Sequence, residues 1–372
     1  MKTYFMKRLR RTILGLVLIM VPSAAFGNTQ GQRTIVDMLG RKVSIPQKIN
    51  RIVPLAGAMR YVVYLHAVDK VVGVEAIETN REETSGRPYN LAIRKKAAKL
   101  PIVGEGMFKP VNAEAVIAAK PDLIIIAARD AETANNVAQK TGLPVLALAG
   151  FGGKGVFEMD STIKSLEMLG SAIGKEQRSR EVVQFIKNAE KDLDRRTGKP
   201  AKGGPKVYVG CLGANGAHGI TSTDADYFPL DAAHGTNVAK SLGKRGHLYI
   251  DKEQLLVWNP AVILIDSGGL TLFKEDYIRN RTFYDTLDAV KKGRVYVTPP
   301  YNYYSTNIEI ALANAYFAGS VMYPGKFSDV NIAKKADDIF RFFTGIPCYE
   351  KMQKEFGGYQ NLHFSNGVIH AR

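Results

Sequence analysis

Three closely spaced phenols are the first hint of chemistry in this 372-residue chain: Tyr301, Tyr303 and Tyr304 follow Pro299-Pro300, directly after a strand-like end. Tyrosine in such a place needs a core to fill or a partner for its hydroxyl. Hard ferric iron favours anionic oxygen, phenolate included, and histidine is a frequent companion ligand. His218, His234 and His247 lie in the same half of the chain. Arg60 and Arg129 carry guanidinium forks that suit carboxylate or sulfonate groups, unless they are merely solvated loop ends. Tyr61 offers a phenol to a ferric centre or a ring to stack on. Gly150-Phe151-Gly152-Gly153-Lys154-Gly155 spells the glycine pattern of a dinucleotide loop. It follows the third strand of its half and leads into a long helix, so a flexible join is the simpler reading. Cys211 and Cys348 are far apart and no zinc spacing is present. Cys211 reads as a buried thiol, with a disulfide the alternative in an oxidising compartment.

The elements that position these residues come in two copies. Val111 to Ala127 aligns without a gap on Ile250 to Asp266. In each, Asn112 or Asp251 can cap a helix, Glu114 or Glu253 sits in its first turn, and Pro121 or Pro260 stops it before a continuous apolar run. Such a run suits a strand buried on both faces. Arg51 to Leu55 pairs with Lys206 to Leu212, and Gly142 to Leu148 pairs with Gly293 to Pro299. Each half therefore reads strand, helix, strand, helix, strand. The fold class is α/β, with two Rossmann-like lobes, parallel sheets and a ligand cleft between the lobes. Between the copies, apolar residues recur at helical spacing at Ile163, Leu166, Leu169, Ala172 and Ile173. They recur again, after Gly174, at Val182, Phe185, Ile186, Ala189 and Leu193. The expected division is an N-terminal lobe over 28–154, a connecting helical strut over 155–198, a C-terminal lobe over 199–324 and closing helices over 325–372.

Residues 1–27 read as a secretory signal peptide, with cleavage after Ala25 or Gly27. Lys2, Lys7, Arg8, Arg10 and Arg11 precede the apolar run Ile13 to Val21 and a cluster of small residues. The formal charge is +16; the leader holds five of the positives and no acid, which leaves +11. That excess attracts an anionic ligand or simply solvates helix faces. No basic stripe with interleaved aromatics is present, which argues against nucleic-acid binding.

The hairpin-like Thr34 to Pro46, the phrase Asn50-Arg51-Ile52-Val53-Pro54-Leu55, Asp69-Lys70-Val71-Val72-Gly73-Val74 and the segment Asn112 to Ile125 together resemble one family. It comprises the substrate-binding proteins of ABC importers for ferric siderophores, haem and cobalamin. The resemblance runs through nearly the whole mature chain. It implies two lobes joined by one long helix, limited opening, a monomeric periplasmic binder that is not an enzyme, and delivery of cargo to a membrane permease and its ATPase. It implies no intrinsic cofactor, and a bound ligand that is a ferric siderophore or similar metal chelate, with haem or cobalamin the alternative. The loops at the strand ends would then face the cleft, with Arg60, Tyr61, Met107, Phe108 and Arg129 from the first lobe. Asn215, His218, Arg245, Tyr301 and Tyr303 would face it from the second. The resemblance assigns metal ligation to His247 and Tyr304. It assigns permease docking to Glu132 in the first lobe and to Glu275 or Asp276 in the second.

Overall fold

Pro121 and Pro260 each stand just before an apolar run buried along its whole length, because a strand covered by helices on both faces has no solvent side to mark with polar residues. The computed structural model describes residues 31–79, 86–107, 109–149, 156–198, 203–365 and 367–371. The leader and the glycine-rich stretch 150–155 lie outside them. Strands β1 (Gln32–Val36) and β2 (Lys42–Pro46) form the expected antiparallel hairpin. The N-terminal lobe follows with β3 (Ile52–Leu55), β4 (Val74–Glu75), β5 (Ile102–Gly104), β6 (Leu123–Ala128) and β7 (Val145–Ala149). Its main sheet is parallel, in the order β3-β6-β7, and β4 pairs with β5 beside it.

The C-terminal lobe contains β8 (Lys206–Gly210), β9 (Ser222–Asp224), β10 (Thr236–Asn237), β11 (His247–Tyr249), β12 (Val262–Asp266) and β13 (Val295–Thr298). The chain ends in β14 (Gln360–Ser365) and β15 (Val368–Ala371). The main sheet runs β10-β8-β12-β13-β14-β15. The repeat is visible in the register: Ile52 faces Leu123 in one sheet and Val207 faces Val262 in the other, which the gapless alignment makes equivalent pairs. The caps repeat too. Asn112 accepts the Ala115 N–H at 3.0 Å, and Asp251 accepts the Gln254 N–H at 2.7 Å. In both copies the residue just before the proline is left-handed, Lys120 (φ 48°) or Asn259 (φ 37°). Asparagine tolerates that conformation more readily than lysine does.

The strut is two helices, Met159–Ile173 and Glu176–Thr197, broken at Gly174, whose φ of 71° needs a residue without Cβ. At 1.5 Å per residue the second spans roughly 33 Å. It touches both lobes. Arg178 donates to the Tyr64 carbonyl at 3.0 Å near one end, and Thr197 meets His234 Nδ1 at 2.7 Å at the other. One buried apolar cluster runs from Val43 through the strut to Met352, so opening the lobes by more than a small angle would expose a shared core. The helix Ile332–Thr344 packs on the N-terminal-lobe helices Met59–Tyr64 and Pro88–Ala97, a second tie between the lobes.

The end of the chain departs from the expected closing helices. After Ile332–Thr344 and Tyr349–Phe356, β14 and β15 form a hairpin that adds antiparallel strands to the sheet beside β13. Leu362 supplies its fully buried anchor opposite Val295.

Candidate functional site

A cavity of about 920 Å³ lies between the lobes, at the carboxyl ends of their strands. Parallel sheets present ligand sites there because the loops and helix N-termini converge at that edge. The first lobe contributes Ile77, Glu105 to Met107, Lys109 and Arg129; the second contributes the loop 212–217, Asp224, His247, Asp266, Pro300 and Asn302 to Ser305. Of the residues expected at the site, Met107, Arg129, Asn215, Tyr303, His247 and Tyr304 line this cavity. Phe108 lies outside the described residues.

Tyr304 is tied across the cleft. Its hydroxyl donates to Glu75 Oε2 at 2.6 Å and accepts the Met107 N–H at 2.9 Å, while its carbonyl accepts a bond from the Arg60 guanidinium. Tyr304 and Ser305 both hold positive φ, 53° and 74°, a conformation costly for residues with a Cβ. Asn307 steadies the turn by donating to the Tyr301 and Tyr303 carbonyls, each at 3.1 Å. Burial pushes the Glu75 carboxyl up to about 7, even though Tyr304 and the Ala56 N–H, at 2.9 Å, both stabilise its charge. Burial, then the Glu75 charge, pushes the Tyr304 phenol far up.

Both members of the expected metal pair, His247 and Tyr304, line the cavity, and each is already engaged by the protein. A phenol held neutral by burial beside a carboxylate is a poor source of phenolate in this arrangement. His247 Nε2 lies 2.8 Å from Ser222 Oγ, and burial, then His218, lowers its pKa. Among the described residues no group of three His, Cys, Asp or Glu side chains is placed to hold a metal ion.

Five expectations are corrected by burial or position. Arg60 is 1% exposed, with Nε donating to the Gly57 carbonyl at 3.1 Å and its guanidinium 5.0 Å from the Tyr89 ring centre. Tyr61, 6% exposed, belongs to the core and donates to the Ala149 carbonyl at 3.4 Å. Tyr301 is buried edge-on against Tyr227, with ring centres 5.2 Å apart. Arg245 points to solvent in an ion pair with Asp226 at 2.7 Å. His218 is not part of the cavity lining, and its Nε2 lies 2.8 Å from the Ala214 carbonyl. Glu132 and Glu275 are exposed, whereas Asp276 binds Lys252 at 2.7 Å and accepts the Tyr284 hydroxyl. Cys211 and Cys348 are both buried and free.

Sequence reasoning missed Asp224 and Asp266 in the cavity wall. Asp266 carried a usable signal: it is the polar residue that ends the buried run Val262–Asp266, at the strand end where ligands sit. Asp224 had none, since β9 is only three residues long. Burial raises both carboxyls, Asp224 to about 6 and Asp266 to about 7.

A family model described as periplasmic binding protein matches residues 58–302. The chain belongs to that family. It is a substrate-binding protein of an ABC transporter, extracytoplasmic like the family. Molybdate-binding protein MolA of Haemophilus influenzae is 27% identical over 350 residues, covering 88% of this chain and 95% of that one. An uncharacterized ABC transporter substrate-binding lipoprotein of Bacillus subtilis, YvrC, is 28% identical over 274 residues, covering 72% and 78%. The solved structure of MolA bound to molybdate superposes with a TM-score of 0.68 at 23% identity, covering 85% of this chain and 98% of that one, which establishes the shared fold. No helix among the described residues is long and apolar enough to cross a membrane.

Proposed function

We propose that this family member is a periplasmic binder, not an enzyme, that captures a metal chelate of siderophore size and passes it to its permease. The supporting observation is the size of the cleft. About 920 Å³ matches the volume of pockets that enclose drug-sized ligands, whereas a four-oxygen anion fills on the order of 100 Å³, the share of a few waters. Lys109 and Arg129 give one wall positive charge for an anionic face of the cargo, and Tyr303 offers an aromatic surface. Glu132 and Glu275, one exposed acid on each lobe, suit a permease that meets both lobes at once. The leader in residues 1–27 fits export to the periplasm.

A second reading, a metal oxyanion, is favoured by the likeness to MolA. Backbone amides of the glycine-rich loop Gly213 to Gly216 would then be its donors. Titration calorimetry of the mature protein with a ferric hydroxamate, a ferric catecholate, haemin, cobalamin and molybdate separates the two. Submicromolar binding of a ferric chelate, with none for molybdate, is the expected result; the reverse would replace the chelate by the oxyanion.

A further inference from the structure

The gapless repeat puts Ala127 where the C-terminal lobe has Asp266, and Ala128 follows it. Two small side chains thus end β6 beside the helix Ala131–Thr141, and a second cavity, of about 420 Å³, lies there. Its floor is apolar: Leu55 at the end of β3, Ile126 to Ala128, Val111 and the helix residue Val137. Met107, Lys109, Arg129 and Ser305 line both this cavity and the cleft, so the one opens off the other. Gly106, also common to both, holds φ 140°, and a Cβ on it would stand 3.2 Å from the Tyr304 hydroxyl oxygen.

Water gains little in such a place. It needs two to four polar partners, and no buried side-chain nitrogen or oxygen that lines the cavity lacks a hydrogen bond among the described residues. Glu75, 3% exposed, has both oxygens taken, Oε1 by the Ala56 N–H at 2.9 Å and Oε2 by the Tyr304 hydroxyl at 2.6 Å. An apolar group that displaces poorly held water gains the full benefit of its own burial. The 420 Å³ is well above the roughly 150 Å³ that admits a benzene ring. The exposed part of the lining is cationic: Lys109, Arg129 and Lys140 stand there with a single acid, Asp130, whose Oδ1 accepts the Thr133 N–H at 2.8 Å. An apolar floor under a cationic rim is complementary to a ring that ends in an anion.

We infer that this side cavity receives an aromatic arm of the cargo that carries a carboxylate or similar anion. This rests on the chelate reading of the cleft and narrows it: the metal core lies between the lobes, and the arm turns past Gly106 into the N-terminal lobe. Asp266, at the matching strand end of the other lobe, disfavours the same anion, so the cargo sits in one orientation. Asn136 and Lys140, four residues apart on one exposed face of the helix, line the cavity without belonging to the core. Changing them alters the cavity and leaves the fold intact.

The test is a calorimetric titration of the mature protein with ferrioxamine B, a ferric trishydroxamate, acylated on its free amine with a 4-carboxybenzoyl group, against the same complex acetylated there. Wild-type protein is expected to prefer the aryl form about tenfold or more. Asn136→Trp fills the cavity and should close that gap, and Lys140→Gln should narrow it. Both variants should retain native circular dichroism and bind the acetylated complex as the wild type does. Equal affinities in the wild type, or a gap that survives in both variants, would overturn the side cavity as a site and leave the chelate reading standing. If neither ferric complex binds, the chelate reading fails, and 4-(methylcarbamoyl)benzoate decides the site without any chelate. Saturable binding to wild type that is lost in Asn136→Trp sustains it, and no binding overturns it.

Discussion

Tyr304 donates a 2.6 Å hydrogen bond to Glu75 across 229 positions of sequence, joining the loop after the last parallel strand of one lobe to the short strand β4 of the other. The contact makes Tyr304 a clasp between the lobes in the ligand-free protein. Tyr304→Phe removes the donor and leaves the buried Glu75 carboxylate with Ala56 as its remaining partner of the two. A loss of roughly 1–3 kcal/mol in unfolding free energy is expected by urea titration. The visible band of a bound ferric chelate should be the same in wild type and Tyr304→Phe; a phenolate-to-iron band present only in wild type would contradict this.

Arg60 acts in the same place from beneath. Truncating a buried cation that holds the Gly57 and Tyr304 carbonyls and lies over Tyr89 leaves those groups and the neighbouring Glu309 without it. Arg60→Met should cost on the order of 3–5 kcal/mol of stability. A ligand-contacting arginine would behave differently, weakening binding while leaving the urea midpoint in place.

Glu75 and Asp266 titrate near pH 7 in the native protein, against about 4.5 and 3.8 for the free side chains. Between those values the native state binds more protons than the unfolded chain, so stability falls as pH rises from about 4 to 7. A carboxyl whose native and unfolded titrations lie one pH unit apart changes stability by about 1.4 kcal/mol. Asp329, lowered to about 2 by its hydrogen bonds with Arg196, acts in the opposite sense below about pH 4, and His66 and His247, both lowered chiefly by burial, offset part of the fall just below their ordinary value of 6.5. The ligand-free protein is therefore expected to melt higher at pH 5.5 than at pH 7.5. Asp266→Asn should reduce that difference and raise the melting temperature at pH 7.5; a wild type that is most stable at pH 7.5 would refute the assignment.

Much of the architecture was legible because it is local. The proline-terminated helices and the apolar runs after Pro121 and Pro260 fix two parallel sheets, and the repeat fixes their shared register. The strand-end rule then found the cleft and placed Met107, Arg129, Asn215 and Tyr303 at its edge. What failed depended on distant partners. Arg60 looks like a loop cation until Tyr89 and Tyr304 close over it, and nothing near Tyr304 announces Glu75. The hairpin Gln360–Ala371 was hidden for a different reason: its strands are short, mostly half exposed, and anchored by the single fully buried Leu362.

Glu132 and Glu275 stand exposed on separate lobes, and neither forms an ion pair among the described residues. Reversing both charges should lower uptake at least tenfold in vesicles reconstituted with the cognate permease and ATPase, with cargo affinity unchanged. Uptake equal to wild type would remove these acids from the docking surface.

Native mass spectrometry of the protein released from the periplasm of an expressing, metal-limited culture tests the central claim most directly. The account predicts a 1:1 complex whose added mass is on the order of several hundred daltons, a drug-sized ligand, and contains one metal atom. An added mass equal to a bare oxyanion would contradict it.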